Sequence, residues 1–170
     1  MTKLREMLNR INERTNAQDI DLSGMNLADL SPKNWIVGNF NCSKNKLKTL
    51  EDAPKQSKDF DCSFNEIEEL SNIMECDGTF NCSNNKLTTL ERGPEKVTRD
   101  YICSHNKLKS FKGFPVKDKV NNIDASYNEI DSLEGLPKHI TGNLNIQHNK
   151  RQFTEEEILA VCDVDGKIEL

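Results

Sequence analysis

The residue types most able to do chemistry are six cysteines and three histidines, and the cysteines show the first regularity. Cys42, Cys62, Cys82 and Cys103 recur every 20 or 21 residues, with Cys76 and Cys162 out of step. If each period contributes one strand, the four thiols fall on adjacent rungs about 4.8 Å apart, all on one face. Tetrahedral zinc needs four sulfurs converging on a point, which a straight column does not supply. Ala125 takes the same slot one period later, so the column is expected to pack as small buried hydrophobes. Cys76 lies in the stretch Ser71 to Gly78, which lacks the proline of its counterparts; exposure there would make the thiol reactive, although no activating base is evident. His105 and His148 hold equivalent positions two periods apart, about 10 Å along the array, which is long for shared zinc ligation, and His139 stands apart from both. Asp163 to Gly166 has the composition of a calcium loop, but aligning Gly166 with the loop glycine puts Val161 in the first ligand position. No P-loop, dinucleotide glycine pattern or nucleophile elbow is present. These observations lead to the expectation of no catalytic residue, no metal and no cofactor.

The elements that must position these side chains come from a repeat. From Phe40 the chain reads FNCSKNKLKTLEDAP, from Phe60 FDCSFNEIEEL, from Phe80 FNCSNNKLTTLERGP, from Tyr101 YICSHNKLKSFKGFP, from Ile123 IDASYNEIDSLEGLP and from Leu144 LNIQHNKRQF. Strand geometry sends alternate residues to opposite faces, so Phe40 and Cys42 point inward while Asn41 and Ser43 point out. No unit can bury its apolar face alone, but stacked parallel strands merge the units into one core. Asn45, Asn65, Asn85, Asn106, Asn128 and Asn149 recur where the backbone must turn, and their amides can both donate to and accept from groups the turn leaves unpaired. An earlier unit with Ile20, Leu22, Leu27 and Leu30 fits the frame, with Met25 in place of the asparagine.

The chain resembles the leucine-rich-repeat family, whose frame L-x-x-L-x-L-x-x-N-x-L is met at Val37, Phe40, Cys42, Asn45 and Leu47 and recurs below. The first apolar slot is the weak one: it holds Ser57, Asp77, Thr98 and Thr141 in other units, so the strand is expected to begin later than the family pattern implies. The L-E-x-x-P segments (Leu50 to Pro54, Leu90 to Pro94, Leu133 to Pro137) are similar to the short repeats of bacterial effectors and bacteriophage proteins. The resemblance implies an α/β solenoid: a horseshoe with a parallel concave sheet and an irregular or 3₁₀ convex side. The organisation expected is one leucine-rich-repeat domain over 1–170, with an N-terminal helical cap at 1–17, about seven repeats over 18–153 and a C-terminal cap at 154–170. Leu4, Met7, Leu8 and Ile11 form one apolar helical face near the start. Near the other end Thr154 and Glu157 have capping-box spacing before Ile158, and Arg151 stands where a core leucine would be.

A net charge of -5 disfavours binding to a phosphate backbone by bulk electrostatics. No apolar run approaches the roughly 20 residues that cross a bilayer, and the opening residues lack a signal peptide's apolar stretch, so a cytoplasmic protein is expected, without nucleic acid or membrane as partner.

What remains is a surface. The concave strand face collects Asp59, Asp61, Asp100 and Asp124 among Asn, Ser and Thr residues, with Ile102 as an apolar exception. Beside it runs the column Lys44, Phe64, Asn84, His105, Tyr127 and His148, expected to line the rim. Exposed aromatics there either anchor a partner or pack on their rim neighbours. The expected contact residues are therefore Phe64, Ile102, His105, Tyr127, His148, Asp59, Asp61, Asp100 and Asp124. They suggest a protein-protein interaction module, not an enzyme, whose partner carries a basic surface. The likeness to phage repeats extends this to a phage-encoded protein that modulates or inhibits a host protease, nuclease or defence factor, in the host cytoplasm. The alternative is an effector-like hydrolase or ligase using cap residues. An uncovered array edge also allows a homodimer.

Overall fold

The computed structural model describes residues 18–30, 37–71, 73, 75–116 and 119–170. The expected N-terminal helical cap at 1–17 lies outside the described residues. In chain order the strands are β1 Gln18–Asp21, β2 Val37–Asn41, β3 Gln56–Ser57, β4 Phe60–Asp61, β5 Glu75–Cys76, β6 Phe80–Asn81, β7 Lys96–Val97, β8 Asp100–Ile102, β9 Asn122–Asp124, β10 His139–Ile140, β11 Leu144–Asn145, β12 Asp163–Val164 and β13 Ile168–Glu169. One helix, α1 (Glu155–Leu159), lies among them.

The chain winds as a parallel β-solenoid of about seven turns. Its main sheet has the order β1-β2-β4-β6-β8-β9-β11-β13. The register places Phe40, Phe60, Phe80, Tyr101, Ile123, Leu144 and Ile168 side by side, so the repeat read from sequence is also the repeat in space. Inside, neighbouring rings along Phe40, Phe60, Phe80 and Tyr101 lie 5.2, 5.6 and 5.2 Å apart, tilted or edge-on as aromatic quadrupoles prefer. Cys42, Cys62, Cys82, Cys103 and Ala125 form the adjacent buried column, and Leu47, Ile67, Leu87, Leu108 and Ile130 the next.

The side expected to be irregular holds a second set of parallel strands instead. There β3-β5-β7 form a three-stranded sheet, β10 pairs with β12, and Val120 bridges Ile140. This explains the weak first slot. The inward residue precedes the strand's first core residue by three in some turns (Val37, Ser57, Val120) but by four in others (Cys76, Val97, Ile140). The one-residue slip takes Asp77, Thr98 and Thr141 out of the core column. Because side chains alternate with period two, a fixed frame picks the wrong neighbour wherever a residue is inserted.

The C-terminal end also departs from expectation. The capping box is present, with the Thr154 hydroxyl accepting from the Glu157 amide and Glu157 accepting from the Thr154 amide. The helix is only five residues long, however, and the array does not stop at Arg151. After α1, Asp163–Val164 adds β12 to the second side and Ile168–Glu169 adds β13 to the main sheet. The stretch expected to be a polar turn and helical cap is a further coil of the solenoid. No helix among the described residues is long and apolar enough to cross a membrane.

Candidate functional site

The surface of interest is built by the turn that ends each strand of the main sheet. At this turn Gly24, Lys44, Phe64, Asn84, His105, Tyr127 and His148 all adopt positive φ, between +53° and +65°. That left-handed step bends the chain sharply and lets the next residue send its side chain back under the strand end. Each asparagine then satisfies four backbone groups. Asn106 is typical: its Nδ2 donates to the carbonyls of Cys82, Cys103 and Ser104 at 3.0, 3.1 and 3.3 Å, while Oδ1 accepts from the Leu87 amide at 3.0 Å. The asparagine therefore staples its own turn to the preceding one. The first turn tolerates Met25 because its staple comes from Asn45, through the Leu22 carbonyl and Leu27 amide.

The left-handed column is mostly filled by residues the backbone does not favour. An L-residue other than glycine pays roughly 1–2 kcal/mol in this region, with asparagine the usual exception. Bulky rings are outliers there. Even so, His105, Tyr127 and His148 stack in a row, with successive centroids 4.3 Å apart at 8° and 25°. Both faces of Tyr127 are thereby covered, and the row turns its edges outward. Phe64 lies two turns before His105, is 52% exposed and has no ring partner among the described residues. The structure thus groups three of the sequence-chosen rings and leaves Phe64 apart.

The outer face of the main sheet is narrower than the sequence suggests, because Ser43, Ser63, Ser83, Ser104 and Ser126 are buried. Two columns of Asp, Asn and Thr remain, and most of their oxygens are engaged in the fold. In one, Asp19 accepts from the Asn39 amide, Asn39 from Asp59 and Asp59 from Thr79. In the other, Asp21, Asn41, Asp61, Asn81, Asp124 and Asn145 each accept from the amide two residues on. Among the site candidates, Asp61 and Asp124 therefore shape strand ends. Asp59 also pairs with Arg99, two turns away. Burial opposes ionisation of Asp59, but the Thr79 amide and the Arg99 guanidinium outweigh it and hold the carboxyl below its usual range. Asp100 accepts from Asn122 Nδ2 at 2.6 Å, and neither Asp100 nor Asp124 has a cationic partner among the described residues. Ile102, half-buried between Asn81 and Asp124, has no oxygen to offer the Ser104 amide.

The repeated spacing of Asp or Asn two residues before Ser was a readable signal for these caps, since Asx side chains bond two residues on. Sequence reasoning assigned the same carboxylates to a partner. The condition under which Cys76 would be reactive, exposure, is not met: it is buried, with Sγ within hydrogen-bonding reach of the carbonyls of Lys58 and Thr79 at 3.1 and 3.2 Å. Burial pushes the thiols of Cys42, Cys62, Cys76, Cys82 and Cys103 up, and that of Cys162 to about 11, so the nucleophilic thiolate is disfavoured in each. His139 stands away from the ring stack, 3.0 Å from Asp165. No group of three or more His, Cys, Asp or Glu among the described residues is arranged to hold a metal ion. No family model matches the sequence, and no curated protein is detectably similar to it.

Proposed function

We propose that this protein is a binding module for another protein, and that contact is made by the outer face of the main sheet together with the ring column at its edge. The observation that carries the reading is the His105–Tyr127–His148 row. Three rings occupy left-handed positions where glycine or asparagine would fold more readily, and they fill no core. Rigid, half-exposed aromatics are the side chains that most often dominate interface energetics. The charge on the same face is complementary to a basic partner: between Asn39 and Gln147 the outward columns carry Asp61, Asp100 and Asp124 without a cationic partner among the described residues, while Asp59 is paired with Arg99.

The asparagine staples and the 20 to 22 residue period support placing the chain with short leucine-rich-repeat proteins, as a horseshoe with this sheet on its concave side. The likeness to phage repeats supports a role as a phage-encoded modulator of a host protein. The test is capture from bacterial lysate with tagged wild type beside a Phe64→Ala, Tyr127→Ala double variant of unchanged circular dichroism. A partner retained by wild type and lost by the variant is the expected result. Identical captures would remove the reading.

A further inference from the structure

Ile102 breaks the one column in which every other residue from Asp21 to Asn145 caps its own strand end. Asparagine at this position would restore the cap, and the backbone is ready for it. The apolar side chain is therefore held against the local interest of the fold. Its surroundings are specific. Asp100 lies two residues before it on the same face of β8, and Asp124 lies directly beside it on β9. Three residues downstream the ring row begins at His105 and continues through Tyr127, which follows Asp124 at the same interval. A small apolar side chain thus lies beside two carboxylates without cationic partners among the described residues, three residues before the column that carries the stacked rings.

We infer that this position is the seat of an arginine side chain, presented by a segment of the protein partner, with its stem over Ile102 and its guanidinium between Asp100 and Asp124. The inference rests on the protein-binding reading and names the chemistry of the contact. Arginine suits the seat better than lysine for two reasons. Its planar fork can donate to both carboxylates at once, and its weaker hydration lowers the cost of leaving water beside an isoleucine. Asp59, by contrast, already holds Arg99, a guanidinium from within the chain, and Asp61 is flanked by the polar Asn41 and Asn81, so among the acidic residues of this face Asp100 and Asp124 are the ones beside an apolar side chain.

The test is titration of ¹⁵N-labelled protein with a capped glycine–arginine pentapeptide and its lysine and glutamate counterparts. The arginine peptide is expected to shift the amides of Ile102, Asp124 and Tyr127 saturably, the lysine peptide to bind at least threefold more weakly, and the glutamate peptide to leave them in place. Ile102→Asn should weaken the arginine peptide at least tenfold while raising Tm by about 2–4 °C through the restored cap. Tyr127→Asn, which keeps a residue suited to the left-handed turn, should weaken it by a smaller factor. The inference is overturned if arginine and lysine bind equally, if shifts spread over the acidic surface regardless of Ile102, or if the same amides shift with protein concentration alone, which would make a second copy the occupant. A captured partner that needs Tyr127 but tolerates Ile102→Asn would leave the protein-binding reading standing and remove the arginine seat.

Discussion

Two adjacent columns run the length of the solenoid, one residue apart in every turn, and they obey different rules. The inner one is asparagine from Asn45 to Asn149 without exception, whereas the one before it reads Lys44, Phe64, Asn84, His105, Tyr127, His148 over a nearly constant φ. The backbone demands at the two positions are equally repetitive, so geometry does not explain why one varies. The difference is where the side chain goes. The asparagine amide is consumed by four backbone groups, and no other side chain offers the same donors and acceptor at that reach. The preceding side chain leaves the fold, and its identity is free to follow something else.

The sharpest way to break this comparison is Asn106→Ala. It leaves the buried Leu87 amide without its acceptor and takes one of two donors from each of the Cys82, Cys103 and Ser104 carbonyls, which keep Asn85, Asn128 and the Asn84 amide, and urea unfolding should report a loss of about 2 kcal/mol. A loss under about 1 kcal/mol would mean that the ladder is decorative. The outer column should respond weakly and in both directions. Tyr127→Asn trades two ring stacks for an easier backbone and should cost about 1 kcal/mol, whereas Phe64→Asn, with no stack to lose, should gain about 0.5 kcal/mol. Thermal melts of the pair would separate the stacked ring from the solitary one; equal effects would argue that stacking contributes nothing.

Tyr101 tests the inner rule from another direction. It continues the phenylalanine column, yet its hydroxyl is buried with no hydrogen-bond partner among the described residues. Tyr101→Phe should therefore leave stability unchanged or raise it by up to about 1 kcal/mol in urea unfolding. A clear loss would reveal a partner for the hydroxyl. The smallest effect is expected at Asp59. Because its folded pKa is lowered, its ion pair contributes above the ordinary aspartate pKa of about 4 and fades as pH falls through the folded value. Asp59→Asn keeps an oxygen for the Thr79 amide and removes only the exposed pairing with Arg99, so it should cost less than about 0.5 kcal/mol at pH 7. The difference from wild type should close towards pH 3, and a constant gap across that range would point to the ladder instead of the charge.

Much of the architecture was readable in one dimension because a solenoid repeats its contacts at the period of its sequence. The register of Phe40, Phe60, Phe80 and Tyr101, the buried cysteine column and the capping box at Thr154 all followed from local spacing. The second sheet did not, because its strands are two residues long and slip between three and four residues ahead of the main strand. The final coil was also hidden: five helical residues interrupt the pattern before β12 and β13 resume it. At the candidate site, spacing found the ring column but not the stack, and it read Asp61 and Asp124 only as partner contacts when one oxygen of each, Oδ1, already caps Ser63 or Ser126.

The sequence alone determined that units stack, which residues face inward and where each turn is stapled, since alternation and a repeated asparagine are local properties that propagate unchanged along an array. Only the tertiary structure decided which exposed side chains meet and which polar groups are already engaged. Those outcomes depend on registry between turns some 20 residues apart, where a one-residue insertion moves a side chain from one face to the other.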